Sequence, residues 1–160
     1  MALISLTQGF EAIVDDEDYD FLMQWKWHIC RGSHIYAMRN SAPINGKRTH
    51  ILMHRVLCKT PDGFDTDHIN GNGLDNRRSN LRAVSRSQNM WNRLPNKNGG
   101  SLHKGVHWHK QHSKWVASIQ INRKRRHIGL FENEHDAAAA YTAAAERHFG
   151  EYSHTKGVSA

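Results

Sequence analysis

Apolar and polar residues alternate with a period of two through residues 3 to 14, LISLTQGFEAIV, around a Gln8-Gly9 turn, which predicts two short strands. The acidic run Asp15 to Asp18 precedes Tyr19, Phe21 and Leu22, the pattern of a short helix with negative charge at its favourable end. Alternation returns at Trp25 to His28, at Ser33 to Arg39 and, after an Asn45-Gly46 turn, at Arg48 to Leu52, so an antiparallel meander is expected. Trp25 and Trp27 at strand spacing read as core, with stacking on bases as the alternative. After the turn chemistry of Thr60-Pro61-Asp62-Gly63, Asp67 and His68 fall on or just before a short strand. Asn70-Gly71-Asn72-Gly73 is a polar loop. Periodicity resumes at Leu81 and Val84, and Ser85 is placed to cap a helix through Gln88, Asn89 and Trp91. The predicted order is strand, loop, strand, helix, and a small ββα cradle would bring Asp67, His68 and Asn89 together.

Leu94 to Ser101 is a composition break rich in Asn and Gly with one Pro, and reads as a linker. Beyond it, Val106 and Trp108, then Trp115, Ala117, Ile119 and Ile121, predict two half-buried strands. A basic turn over Arg123 to Arg126 leads to a third short strand ending at Gly129-Leu130-Phe131. Asn133 is placed to cap a helix with Glu134 and Asp136 in its first turn and Gly150 after its end. Ala137, Ala140, Tyr141, Ala144 and Ala145 share one face of that helix, which lets it lie close on the sheet and leaves the other sheet face free.

Composition narrows the partners. Among 160 residues, 22 Lys+Arg against 15 Asp+Glu give +7, and the excess lies after residue 76, which points to a polyanion. Cys30 and Cys58 are isolated, so neither a disulfide framework nor a four-cysteine structural zinc is expected. Of the 13 histidines, His107, His109 and His112 form the tightest group, and a zinc site there is the weaker reading. With no secretory hydrophobic segment and no apolar run long enough to span a bilayer, a soluble intracellular protein is expected.

The chemistry-bearing stretch is 67 to 92, DHINGNGLDNRRSNLRAVSRSQNMWN. Asp67 offers a hard anionic oxygen and Asn89 an amide oxygen, which suits Mg²⁺ (or Mn²⁺), and a neutral His68 can take a proton from water. The stretch resembles the HNH nucleases of phage and intron homing endonucleases, with the three motif letters falling on His68, Asn80 and Asn89. The resemblance implies that Asp67 and Asn89 hold the metal, that His68 is the general base and that Asn80 braces the loop orienting His68. It also implies an HR-containing helix before the catalytic hairpin, here Met53-His54-Arg55-Val56-Leu57, where His54 or Arg55 either meets the scissile phosphate or packs. Arg77, Arg78, Arg82, Arg86 and Arg93 then read as phosphate contacts that set duplex register, or as a solvated face.

The second module resembles the DNA-binding domain of plant APETALA and ethylene-response-factor proteins, on GVHWHK, KWVASI, RRHIGLF and HDAAAAYTAAA. That resemblance implies a three-stranded sheet in the major groove, with Lys104, His107, His109, Gln120, Arg125 and His127 facing DNA. His107, His109, Gln120 and His127 stand where the plant pattern has arginines and a tryptophan, so the recognised sequence is not carried over.

The expected architecture is α+β: residues 1-93 an HNH domain of the ββα-metal (His-Me finger) type, its catalytic ββα about 64-93, then a linker 94-102, a DNA-binding module 103-153 and a tail 154-160. The expected function is a metal-dependent endonuclease on double-stranded DNA, of homing or phage type, acting in a bacterial cytoplasm as a monomer or homodimer. The alternatives are a DNA-binding regulator built on a catalytically silent HNH scaffold and a nuclease directed at RNA or at particular nucleic-acid structures.

Overall fold

In a computed structural model, which describes residues 1–32, 34–93 and 100–153, the chain divides into two compact units, Met1–Asn89 and Met90–Ala160. The first is a mixture of small antiparallel sheets and short helices. Strands β1 (Ala2–Ser5) and β2 (Glu11–Val14) form the expected hairpin, and α1 (Asp16–Leu22) follows with Asp16, Glu17 and Asp18 in its first turn. The meander is β3 (His28–Arg31), β4 (Ile35–Asn40) and β5 (His50–Leu52), in that order. Its first strand begins three residues later than the alternation at Trp25 predicts. The backbone N–H of Trp25 and the indole Nε1–H of Trp27 both donate to the Leu22 carbonyl, at 3.2 and 2.8 Å, so this segment closes α1 instead of extending.

Ile4, Ala12, Val14, Leu22, Trp27, Ala37, Met53 and Leu57 build the core of this unit. Trp27 is 4% exposed and Trp25 holds the Arg39 guanidinium over its ring at 4.2 Å, so both tryptophans are scaffold. Helix α2 (Met53–Cys58) follows β5 directly and ends with Lys59 in the left-handed region. It packs against β4, β5, β6 (Asp65–His68) and β7 (Leu81–Val84).

The loop joining β6 to β7 is held down by backbone hydrogen bonds. Ile13 of β2 donates to Leu74 O at 2.8 Å and accepts from Asn76 N–H at 2.7 Å, an isolated parallel bridge to Asp75. On the other side Gly73 presses on β4. A Cβ there would stand 2.3 Å from Ile35 O and 2.6 Å from the Tyr36 ring, so the approach requires glycine. Helix α3 (Arg86–Asn92) starts with a reciprocal cap: Gln88 N–H donates to Ser85 Oγ at 3.3 Å, and Ser85 N–H donates to Gln88 Oε1 at 2.8 Å.

The second unit has one sheet, in the order β10 (Lys124–Phe131), β9 (Lys114–Ile121), β8 (Val106–His109), with α4 (Glu134–Phe149) packed on it. The turn before β10 lies at Asn122-Arg123, both with positive φ, so Lys124 to Arg126 are strand and not the basic turn expected from composition. Asn133 caps α4 by accepting from Asp136 N–H at 2.8 Å. Ala117 and Ile119 of β9 meet Ala137, Ala138, Tyr141 and Ala145 of the helix. Gly105, at φ +74°, lies where a Cβ would fall 2.2 Å from the Tyr141 ring. The expected linker 94-102 falls largely, and the tail 154-160 entirely, outside the described residues. Among the described residues no helix is long and apolar enough to cross a membrane.

Candidate active site

Strand β6 presents two chemical faces. By the two-residue alternation of a strand, Asp65 and Asp67 share one face, and Thr66 and His68 the other. The β6–β7 register sets Asp67 opposite Arg82, whose Nε and a terminal nitrogen reach Asp67 Oδ2 at 2.9 and 2.8 Å. Both partners are largely removed from solvent, so the pair neutralises a carboxylate that would otherwise be costly to bury. Asn89 reaches the same sheet face from α3: its Nδ2 donates to Asp65 Oδ2 at 3.0 Å.

His68 is 5% exposed and belongs to a ring cluster. Tyr36 of β4 stacks on it with centroids 5.8 Å apart, and His54 of α2 meets it edge-on at 5.0 Å. His68 Nε2 lies 3.5 Å from Asn76 Oδ1. Burial lowers the His68 pKa against the opposing effects of Asn76, Asp67 and Asp75, so the ring is neutral at physiological pH. His54 is pushed further, to about 3, by burial, then by His68 and Arg55. Its Nδ1 is buried without a hydrogen-bond partner among the described residues.

Asn80 ties the loop shut. Its Oδ1 accepts from Asn70 N–H at 3.0 Å, and its Nδ2 donates to Asn70 Oδ1 at 3.0 Å and Asp75 O at 2.8 Å. Asp75 takes a bidentate grip from Arg77 at 2.8 and 2.6 Å, which with lesser help from Asn70 holds its carboxyl below the usual carboxylate range.

The basic residues expected at DNA have varied settings. Arg78 donates to both oxygens of Asp18 at 2.8 and 2.6 Å and lies 3.4 Å from Glu17, so Arg77, Arg78 and Arg82 are all engaged with carboxylates. Arg86 is exposed at the start of α3, and Arg55 donates to Phe64 O at 3.1 Å. Lys104 is turned to the end of α3, where its ammonium donates to Met90 O and Trp91 O at 3.1 and 2.7 Å; burial lowers its pKa to about 8. On the sheet face away from α4, Arg125 donates to Ser118 Oγ at 2.9 Å and lies 3.3 Å from His107 Nδ1, beside exposed Gln120 and His127. His109 stacks obliquely on His112 at 4.6 Å. No group of three or more His, Cys, Asp or Glu placed to hold a metal occurs among the described residues.

Sequence reasoning had no route to Tyr36, Asn76 or Asp65 as neighbours of the site. Tyr36 sits in an alternating strand like any scaffold aromatic, and only the close approach demanded of Gly73 hints that the loop meets it.

An Asp-His pair ending a strand, an asparagine-braced loop, a second strand and a capped helix make up the region over which the chain matches the family model described as HNH endonuclease, residues 51–91. The match runs from β5 through most of α3 and contains His54, Asp65, Asp67, His68, Asn76, Asn80 and Asn89 but not Tyr36. The chain is 28% identical over 152 residues, 94% of its length, to an uncharacterized HNH endonuclease of Acanthamoeba polyphaga mimivirus, covering 76% of that protein. It is 32% identical over 68 residues, 42% of its length, to Protein 3.8 of Escherichia phage T7, covering 56% of that protein. No solved structure matches it. Together these similarities support a nuclease.

Proposed function

We propose that the chain is a divalent-metal-dependent endonuclease cutting duplex DNA, with β6, β7 and α3 as a ββα-metal unit. The observation that carries this reading is a buried His68 adjoining Asp67 on β6, with its Nε2 3.5 Å from Asn76 Oδ1, inside the segment that matches the HNH model. His68 accepts the proton of an attacking water, and the Asn76 amide and Tyr36 ring hold the imidazole in place. Asn80 keeps the loop closed behind it. Asp67 and Asn89 are the metal-holding residues: Asn89 Oδ1 meets no donor among the described residues, and a carboxylate with an amide oxygen suits a hard cation such as Mg²⁺ or Mn²⁺. When bound, that ion supplies charge stabilisation for the scissile phosphate and the leaving 3′-oxygen, giving 5′-phosphate and 3′-hydroxyl ends.

The second unit anchors the enzyme in the manner of an ethylene-response-factor sheet, with His107, His109, Gln120, Arg125 and His127 toward the major groove and Arg86 nearer the cut. The viral and phage relatives favour a virus-encoded enzyme of homing or phage type, and the phage relative favours action in a bacterial cytoplasm. One observation favours a silent scaffold instead, namely that Arg82 already occupies Asp67. Cleavage by the native chain beside His68→Ala separates the two: a silent scaffold cuts in neither form, whereas in the enzyme cleavage falls by about 10²-fold or more in the variant with DNA affinity within a few-fold. Undiminished cutting by His68→Ala removes His68 from the mechanism.

A further inference from the structure

We infer that Asp65 is a positioning residue, which fixes the Asn89 side chain so that its oxygen, not its nitrogen, is the end offered to a metal ion. The inference rests on the metal-site reading above and goes beyond it to a residue that reading does not use.

An asparagine amide presents an oxygen at one end and an NH₂ at the other, and the two ends are nearly the same shape. As a metal ligand it works in one orientation only, because the NH₂ group has no lone pair to give. Something must therefore choose. An ionised carboxylate chooses by chemistry, since it accepts hydrogen bonds and cannot donate them. Asp65 Oδ2 takes the Asn89 Nδ2–H at 3.0 Å, which commits the nitrogen toward β6. The oxygen then faces away, and among the described residues no donor reaches it. A neutral or donating residue at position 65 would let the amide turn over.

The placement is independent of the side chain's own flexibility. Asn89 N–H is bonded to Ser85 O at 3.0 Å within a helix whose start is locked by the Ser85–Gln88 cap. Asp65 is held in register opposite Val84 at the other end of β7 from Leu81. Strand and helix thus bring carboxylate and amide together, and Asp67 stands two residues along on the same strand face. Partners that orient a ligand in this way matter about 10–100-fold in metal affinity.

The test is a double-mutant cycle on Mn²⁺ binding to the full chain, measured by calorimetry without DNA, with Asp65→Asn, Asn89→Ala and the pair. Asp65→Asn is expected to weaken Mn²⁺ binding about 10-fold in the native background and less than about twofold when Asn89 is already alanine. An equal loss in both backgrounds overturns the inference, since Asp65 would then act by its own charge or as a ligand itself. Asp65→Glu keeps an acceptor-only carboxylate and retains affinity within about threefold; if Asp65→Asn does not fold, a tenfold loss in Asp65→Glu overturns the inference instead. If Asp67→Ala and Asn89→Ala both leave Mn²⁺ affinity unchanged, the metal-site reading itself fails, and this outcome is distinct from a failure at Asp65 alone.

Discussion

Lowering the pH should destabilise the first unit through His54 well before its carboxylates are protonated. The folded-state pKa of His54 is about 3 against 6.5 for the free side chain, because burial in the cluster with His68 and Tyr36 disfavours the imidazolium. The sign follows from proton counts: between the two values the unfolded chain binds more protons than the native one, so stability falls as pH drops below about 6.5. At pH 5 the free imidazole is mostly protonated and the buried one is not, which costs about 2 kcal/mol relative to pH 7. The magnitude hardly depends on the folded value so long as that stays well under 5. His68 is shifted the same way and adds to the slope. Asp75 acts in the same sense but at lower pH, its lowered carboxyl contributing stability that is lost only as pH falls below about 4. The assay is urea unfolding at pH 7 and pH 5, followed by amide signals of residues 1 to 89, for the native chain and His54→Leu. The native chain should lose about 2 kcal/mol more than the variant between the two conditions. Equal losses would refute the assignment of His54 as a ring kept neutral by burial.

Gly73→Ala places a methyl against Ile35 O and the Tyr36 ring, so melting should show a loss of about 1–3 kcal/mol and cleavage should fall with it. A melting temperature equal to that of the native chain would show that the loop is free to move off β4. Arg78→Ala leaves Asp18 buried without its partner and is expected to cost about 1–2 kcal/mol in urea unfolding, discounted for the exposed guanidinium. If Arg78 instead serves chiefly at phosphate, DNA affinity will drop and stability will not.

Local signals carried the order of elements in the site. Turn residues bracket β6, the loop is glycine- and asparagine-rich, and Ser85 with Gln88 marks the start of α3, so strand, loop, strand and helix could be read without tertiary information. The neighbours of His68 could not. Tyr36 and His54 come from β4 and α2, and nothing in their own sequence environment distinguishes them from scaffold. The settings of the arginine-dense stretch were hidden for the same reason: composition counts the charges of Arg77, Arg78 and Arg82 but not the acids that meet them, one of which, Asp18, lies 60 residues away. At Trp25 and at Arg123 to Arg126 the pattern is ambiguous by itself. A helix end and a two-residue turn decide where each strand begins.

The most direct test of the account is incubation of the purified protein with supercoiled plasmid carrying its native locus, plus Mg²⁺, beside an EDTA control and Asp67→Ala. Relaxed or linear product that is absent from both controls is the predicted result, and its form shows whether one strand or both are cut. Plasmid left intact by the native chain, or cut equally in EDTA, would contradict a metal-dependent nuclease and leave a protein that binds DNA without cleaving it or cleaves by other means.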